Sequence, residues 1–211
     1  MKLQKLPLCL LATILVALFL WVESSFAAPP PFKYGQYSFT GEASCLSSTT
    51  VNGGAPQQGQ GFDPSTFKAN DKYFVVSWSV YGTRTFNSDG TGTVKGTTVN
   101  ISYDNQNPAG ASHDFTFDFT WVANSDGTFT TEMVPNSYQG IETAGPRKGQ
   151  TVTVDNIELG GVASINSITA NLFTLKPVIE THTFTHLDGT TQDVQQRICH
   201  RSRTLIWIGN N

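Results

Sequence analysis

The chain has 211 residues, of which 38% are hydrophobic and 14% charged, with a formal net charge of −3. That balance leaves no basic footprint for nucleic acid, and the length suits one domain with a real core once the leader is set aside. The leader is read from Lys2 and Lys5, the apolar run Leu6–Val22 broken only by Pro7 and Thr13, and the small-residue site Ser25-Phe26-Ala27.

This pattern predicts a secretory signal peptide over 1–27, cut after Ala27, and hence a secreted or periplasmic protein. The alternative, an uncleaved anchor, fits less well. The run lies at the bottom of the spanning range and the cleavage site follows it directly. No membrane span is expected after cleavage. Cys9 leaves with the peptide, so Cys45 and Cys199 are the remaining thiols. In an exported chain they read as one disulfide, with a metal pair or a free nucleophile as the alternative. Removing Lys2, Lys5 and Glu23 leaves 11 basic and 15 acidic side chains.

Residues 28–33 form a Pro-rich lead-in, and a single domain is expected over 34–211. The first strand, Gly35–Cys45, places Tyr37, Phe39, Ala43 and Cys45 on one face. A long polar loop follows over 46–72. It is expected either to be disordered or to fold over an opening as a lid, for which Phe62 and Phe67 would supply aromatics to bury. From Tyr73 the alternation is regular, with Phe74, Val76, Trp78, Val80, Arg84 and Phe86 on one parity. Asn87-Ser88-Asp89-Gly90 is a hairpin signal, since Gly90 accepts the positive φ of a tight turn. It recurs at Asn124-Ser125-Asp126-Gly127 and, more loosely, at Leu187-Asp188-Gly189-Thr190. After the first turn Val94 has even parity but Val99, Ile101 and Tyr103 odd, which predicts a bulge or kink at Gly96. Asn105–Ser112 reads as a loop. Phe115, Phe117, Phe119 and Trp121 then share a face, and Phe129–Val134 returns. Pro135–Gly149 reads as an irregular loop. Further strands are expected at Thr151–Leu159, Ile168–Leu175, Val178–His186 and Thr191–Ile208.

No segment carries a convincing helical period, so helix should be minor. The fold class is all-β: a single, mostly antiparallel β-barrel of about eight to ten strands. A membrane barrel shares the alternation, but the paired cysteines and the lack of aromatic girdles weigh against it.

Gly35-Gln36-Tyr37 resembles the Gly-x-Trp start motif of lipocalins, with Tyr in place of Trp. Arg201 or Arg203 stands where that family packs a last-strand arginine on the tryptophan. Together with the leader, the long loop after the first strand and the successive hairpins, the mature chain resembles in outline the calycin group of lipocalin- and avidin-type barrels. The resemblance implies a lipocalin-like barrel that holds a small, partly apolar ligand.

No catalytic, metal or cofactor motif is found. Four residues along a strand span about 13 Å, so His182 and His186 cannot easily share one metal ion. Glu180 with His182 is better spaced, with His113 or His200 as a third ligand, but half-exposed strand histidines explain these residues as well. Asn100-Ile101-Ser102 matches a glycosylation sequon in mid-strand. The residue that stands out is Arg84, the one charge on an otherwise apolar face. It is either an ion pair with Glu132 or Glu158, or turned outward by a bulge, or an anion-binding point inside a cavity. Arg197, Arg201 and Arg203 share the parity of Cys199 and Leu205, and which face of that strand turns inward stays open. The candidate ligand-binding residues are Arg84, Trp78, Phe86, Phe117 and Trp121, for a small hydrophobic or anionic ligand. The alternatives are a barrel enzyme of isomerase or cyclase type, using Arg84, His200 or Glu132, and a structural or interaction module with a filled core.

Overall fold

The computed structural model of the chain describes residues 33–48, 51–52, 60–103, 109–163 and 168–210. The leader 1–27, positions 28–32 of the lead-in, and positions 49–50 and 53–59 of the long loop lie outside the described residues. Every regular element among the described residues is a strand: β1 Gly35–Ser48, β2 Val51–Asn52, β3 Tyr73–Phe86, β4 Thr91–Ser102, β5 Ala109–Ala123 and β6 Thr128–Met133, then β7 Gln139–Ala144, β8 Thr151–Val154, β9 Glu158–Ala163, β10 Thr169–Phe173, β11 Ile179–Thr185 and β12 Gln192–Gly209.

Antiparallel pairing closes the sheet into a barrel-like ring of eight strands, with β1 joined to β12 along most of its length. Three positions in the ring are each filled by two short strands. β6 pairs with Phe119–Ala123 of β5, and β7 continues along Ser112–Thr116. β8 with β9, and β10 with β11, complete the ring in the same way. The breaks at 134–138, 155–157 and 174–178 have local causes. Pro135 and Pro177 have no N–H to donate to a ladder, and Asn136 and Asn156 sit at φ 61° and 63°, outside the strand region. Taken as eight interrupted strands, the order around the ring is the order along the chain.

Two hairpins use the same chemistry. Gly90 and Gly127 take φ of 84° and 85°. Asp89 accepts from the amide and hydroxyl of Thr91, and Asp126 does the same for Thr128. A left-handed glycine after a short turn suits the right-handed twist of the strands it joins.

Several expectations need correction. The register through Gly96 is unbroken on both sides, so there is no bulge there. Val99 and Ile101 simply lie exposed on the outer face. Gly96 is instead a packing position, where an added Cβ would come within 2.9 Å of the Phe115 ring. The supposed loop Pro135–Gly149 contains β7, whose inward residue is the charged Glu142, so apolar alternation could not reveal it. The strand expected over Thr151–Leu159 is two strands, β8 and β9. β5 begins at Ala109, within the expected loop Asn105–Ser112. In the long loop, Leu46–Ser48 belong to β1. Phe62 is buried, its amide donating to the Gln196 side chain, whereas Phe67 is exposed.

The interior has two zones. At the end bearing the Asn87–Thr91 hairpin, Phe86 makes edge-on contacts with Tyr37, Phe119, Trp121 and Phe129 at centroid distances of 5.2–5.9 Å. This aromatic plug closes that end. Toward the other end the inward positions turn polar and charged: Glu142, Glu180, His182, Gln195, Arg197 and Arg201 are all buried. The disulfide Cys45–Cys199 links directly opposed residues of β1 and β12. The parity that set Cys45 with aromatics and Cys199 with arginines holds no conflict, because both sets point inward.

Candidate ligand site in the barrel interior

Between the plug and the polar zone lies a cavity of about 50 Å3. Val80, Val94, Phe117, Leu159 and Leu172 form its apolar waist; Arg84 and Arg203 lie along it, as do Trp78, Thr98, Tyr138, His182 and Arg201. One wall is an aromatic ladder in which Tyr138 stacks on Phe115 at 5.7 Å and on Phe117 at 5.8 Å. At roughly 10–15 Å3 for each water-sized occupant, the space holds about four. It suits a small ligand.

Arg84 reaches the interior because β3 keeps strict register with β1 and β4 on either side, opposite Tyr37 and Val94. It is 5% exposed, and its side chain makes no hydrogen bond or ion pair with any described residue; its Nε is buried without an acceptor. Its guanidinium lies 3.9 Å from the centroid of Phe119 and 5.5 Å from that of Phe86. Burial, followed by the charge of Arg203, draws its pKa down to about 9, so it remains a cation at neutral pH. The two carboxylates considered as partners are elsewhere. Glu132 is exposed on the outer face, and Glu158 pairs with Lys176 at 3.0 Å.

The other inward arginines are held. Arg201 grips both carboxylate oxygens of Glu180, which also meets His182 Nε2 at 3.3 Å. Burial alone would raise the Glu180 pKa, but Arg201 and His182 outweigh it and hold the carboxyl below its usual range. Arg197 donates to Gln195 Oε1, and its guanidinium lies 5.0 Å from the Trp78 ring. Arg203 donates to the carbonyls of Glu42 and Ser202, its side chain crossing Gly41, where a Cβ would come within 2.6 Å of its Cδ. Burial, with Arg197 next, depresses His113 to about 4 and His182 to about 3, so both are neutral near pH 7. Two inward carboxylates, Glu180 and Glu142, face the four arginines Arg84, Arg197, Arg201 and Arg203, so the deep interior carries excess positive charge. Such a field favours an anion.

Of the five candidate residues read from the sequence, Arg84, Trp78 and Phe117 line the cavity, while Phe86 and Trp121 belong to the plug. Trp121 Nε1 donates to the carbonyls of Asn87 and Thr91, so it fastens the hairpin. His200 and Glu132, weighed as catalytic groups, point outward. Sequence reasoning missed Tyr138 and Glu142, which sit at the interrupted β6–β7 position where no clean alternation marks the inward side. It also left Arg201 and Arg203 undecided. Their facing was readable only through Cys199, whose partner Cys45 lies on the aromatic face of β1.

Glu142 adds a titrating group. Its Oε1 is 4.0 Å from His113 Nδ1, and its Oε2 is buried without a partner. Burial raises its pKa from 4.5 to about 7, against the pull of Arg197 and Arg147. Between those values the native chain keeps a proton that the unfolded chain has released. Stability therefore falls as pH rises through that window and stays lowered above it. Glu142→Gln, which cannot ionise, is expected to be more stable than the parent above pH 7 and to lose that advantage below pH 4.5. Denaturant titrations on both sides of the window measure this. An advantage that does not change with pH would show that Glu142 does not titrate in this range.

Compared with known proteins, the chain matches no family model and no curated relative.

Proposed function

We propose that this protein is exported and that its barrel binds a small, partly apolar anion, in the manner of calycin-type barrels, with the acidic group of the ligand on Arg84. The observation that carries the reading is Arg84 itself: a buried cation on the cavity wall with aromatic rings beside it and no acceptor among the described residues. A buried guanidinium without an acceptor is costly, and a bound carboxylate would satisfy its planar fork through two parallel hydrogen bonds. The apolar waist supplies the rest of the affinity through burial. The Cys45–Cys199 bridge suits an oxidising compartment, and among the described residues there is no helix long and apolar enough to cross a membrane.

The test compares carboxylates with alcohols of the same chain, by calorimetric titration of the parent and of Arg84→Met. Methionine keeps the apolar stem and removes the charge. Hydrogen bonds to a charged group contribute about 1.5–3 kcal/mol, so the variant is expected to lose about 10- to 100-fold in carboxylate affinity. Alcohol affinity should hardly change. Equal binding of both series to parent and variant would reject the reading.

A further inference from the structure

Three tryptophans are described, and two of them have their indole N–H satisfied. Trp121 donates to Asn87 and Thr91, and Trp207 donates to the carbonyl of Tyr34 at 3.2 Å. Trp78 differs. It is 7% exposed, it lines the same cavity as Arg84, and its Nε1 is buried without a hydrogen-bond partner. An indole N–H can only donate, and a buried donor left unpaired is a standing cost to the fold. The cavity therefore presents two unpaired donors, one charged and one neutral, with the apolar side chains Val80, Val94, Phe117, Leu159 and Leu172 around it.

Arg84 and Trp78 lie on one strand six positions apart, which separates their Cα atoms by about 20 Å at 3.3 Å per residue. The two side chains also attend different zones. Arg84 lies on Phe119 of the plug, while Trp78 sits among His113, His182, Arg197 and Arg201 at ring or guanidinium distances of 5.0–6.3 Å. Both side chains reach into the common cavity, which shortens that separation, so a short linear chain with an acceptor at each end can meet both donors.

We infer that the ligand is a slender, linear molecule with an acceptor at each end: a carboxylate on Arg84 and, at the far end of an apolar chain, a carbonyl oxygen on the indole N–H of Trp78. A carbonyl is preferred to a hydroxyl because it accepts without adding a hydrogen that needs its own acceptor. The inference rests on the anion reading above and narrows it to straight-chain oxo acids.

The experiment titrates the protein with straight-chain carboxylates from butanoate to decanoate, and with the same acids carrying a ketone at the carbon before the terminal methyl. The parent is expected to show a length optimum for the oxo acids. At that length it should prefer the oxo acid over the plain acid by about five- to tenfold, the effect of one neutral hydrogen bond. Trp78→Phe should bring that ratio close to unity, and Arg84→Met should weaken both acids by a common factor and leave the ratio intact. The indole N–H proton resonance of Trp78 should shift with the oxo acid and stay in place with the plain one. Equal affinity for the two series at every length overturns the inference and leaves the anion reading standing. Unchanged binding in Arg84→Met overturns the anion reading, and no binding of any acid overturns both. The length scan and the ratio are read on the parent protein, so they decide the matter even if Trp78→Phe fails to fold.

Discussion

Replacing Cys45 and Cys199 together with alanine is expected to lower the thermal midpoint by about 10–20 °C. The size follows from topology. The bridge ties residues 154 apart in sequence, and in the chain-entropy account a loop of that length removes about 5 kcal/mol of freedom from the unfolded chain. For a domain of this size each 1 kcal/mol corresponds to about 2–4 °C. The location matters as well. Cys45 and Cys199 are opposed in the β1–β12 ladder, the seam where the first and last strands close the ring, and they are packed with Ala43, Val76 and Trp78. Alanine is the appropriate replacement, because a serine pair would leave hydroxyls in a buried apolar cluster and add a separate penalty. Thermal scans of the double variant, beside the parent with and without reductant, measure the effect. A shift of only a degree or two would mean that the seam is held by its hydrogen bonds and that the crosslink contributes little.

Most of the architecture was legible from alternation and turn chemistry. Tyr37, Phe39, Val76, Trp78, Val80, Arg84, Phe115, Phe117 and Phe119 all face the interior that their parity assigned to them, Phe115 staying half-buried where its ring lies against Gly96. The hairpins at Asp89-Gly90 and Asp126-Gly127 form as the dipeptides require. What escaped had a common cause: a polar inward residue looks the same in sequence as a polar outward one. β7 carries Glu142 inward and Ile141 outward, the reverse of the usual pattern, so it read as loop. On β12 the inward set holds three arginines and the outward set Ile198, Ile206 and Ile208, so hydropathy pointed the wrong way for half the strand. On β4 the outward Val99 and Ile101 suggested a bulge that does not exist. The candidate site lies where this ambiguity is greatest. An interior built to hold a charge cannot show the clean binary pattern of a filled core.

Glu180→Gln is expected to destabilise the fold by about 3–5 kcal/mol, because it strands Arg201 as an uncompensated buried cation. Glu180 is 1% exposed, its two oxygens are both engaged by Arg201, and His182 Nε2 meets the same carboxylate. The pH dependence runs opposite to that of Glu142. Folding draws the Glu180 pKa down from 4.5 to about 2. Its contribution is therefore complete above pH 4.5, and it fades as acid protonates the native carboxylate toward pH 2. The gap between parent and Glu180→Gln should be widest near neutral pH and should narrow on acidification. For Glu142→Gln the difference instead appears at the alkaline side of its window. A double variant, Glu180→Met with Arg201→Met, separates pairing from burial. Methionine fills most of the volume of each side chain and carries no charge, and exchanging a buried pair for apolar groups is often neutral within about 1–2 kcal/mol. Urea titrations of the single and double variants across the acid range test all of this. If the double variant is as unstable as the single one, the carboxylate is needed for more than neutralising Arg201, and the hydrogen bond to His182 is the contact to remove next.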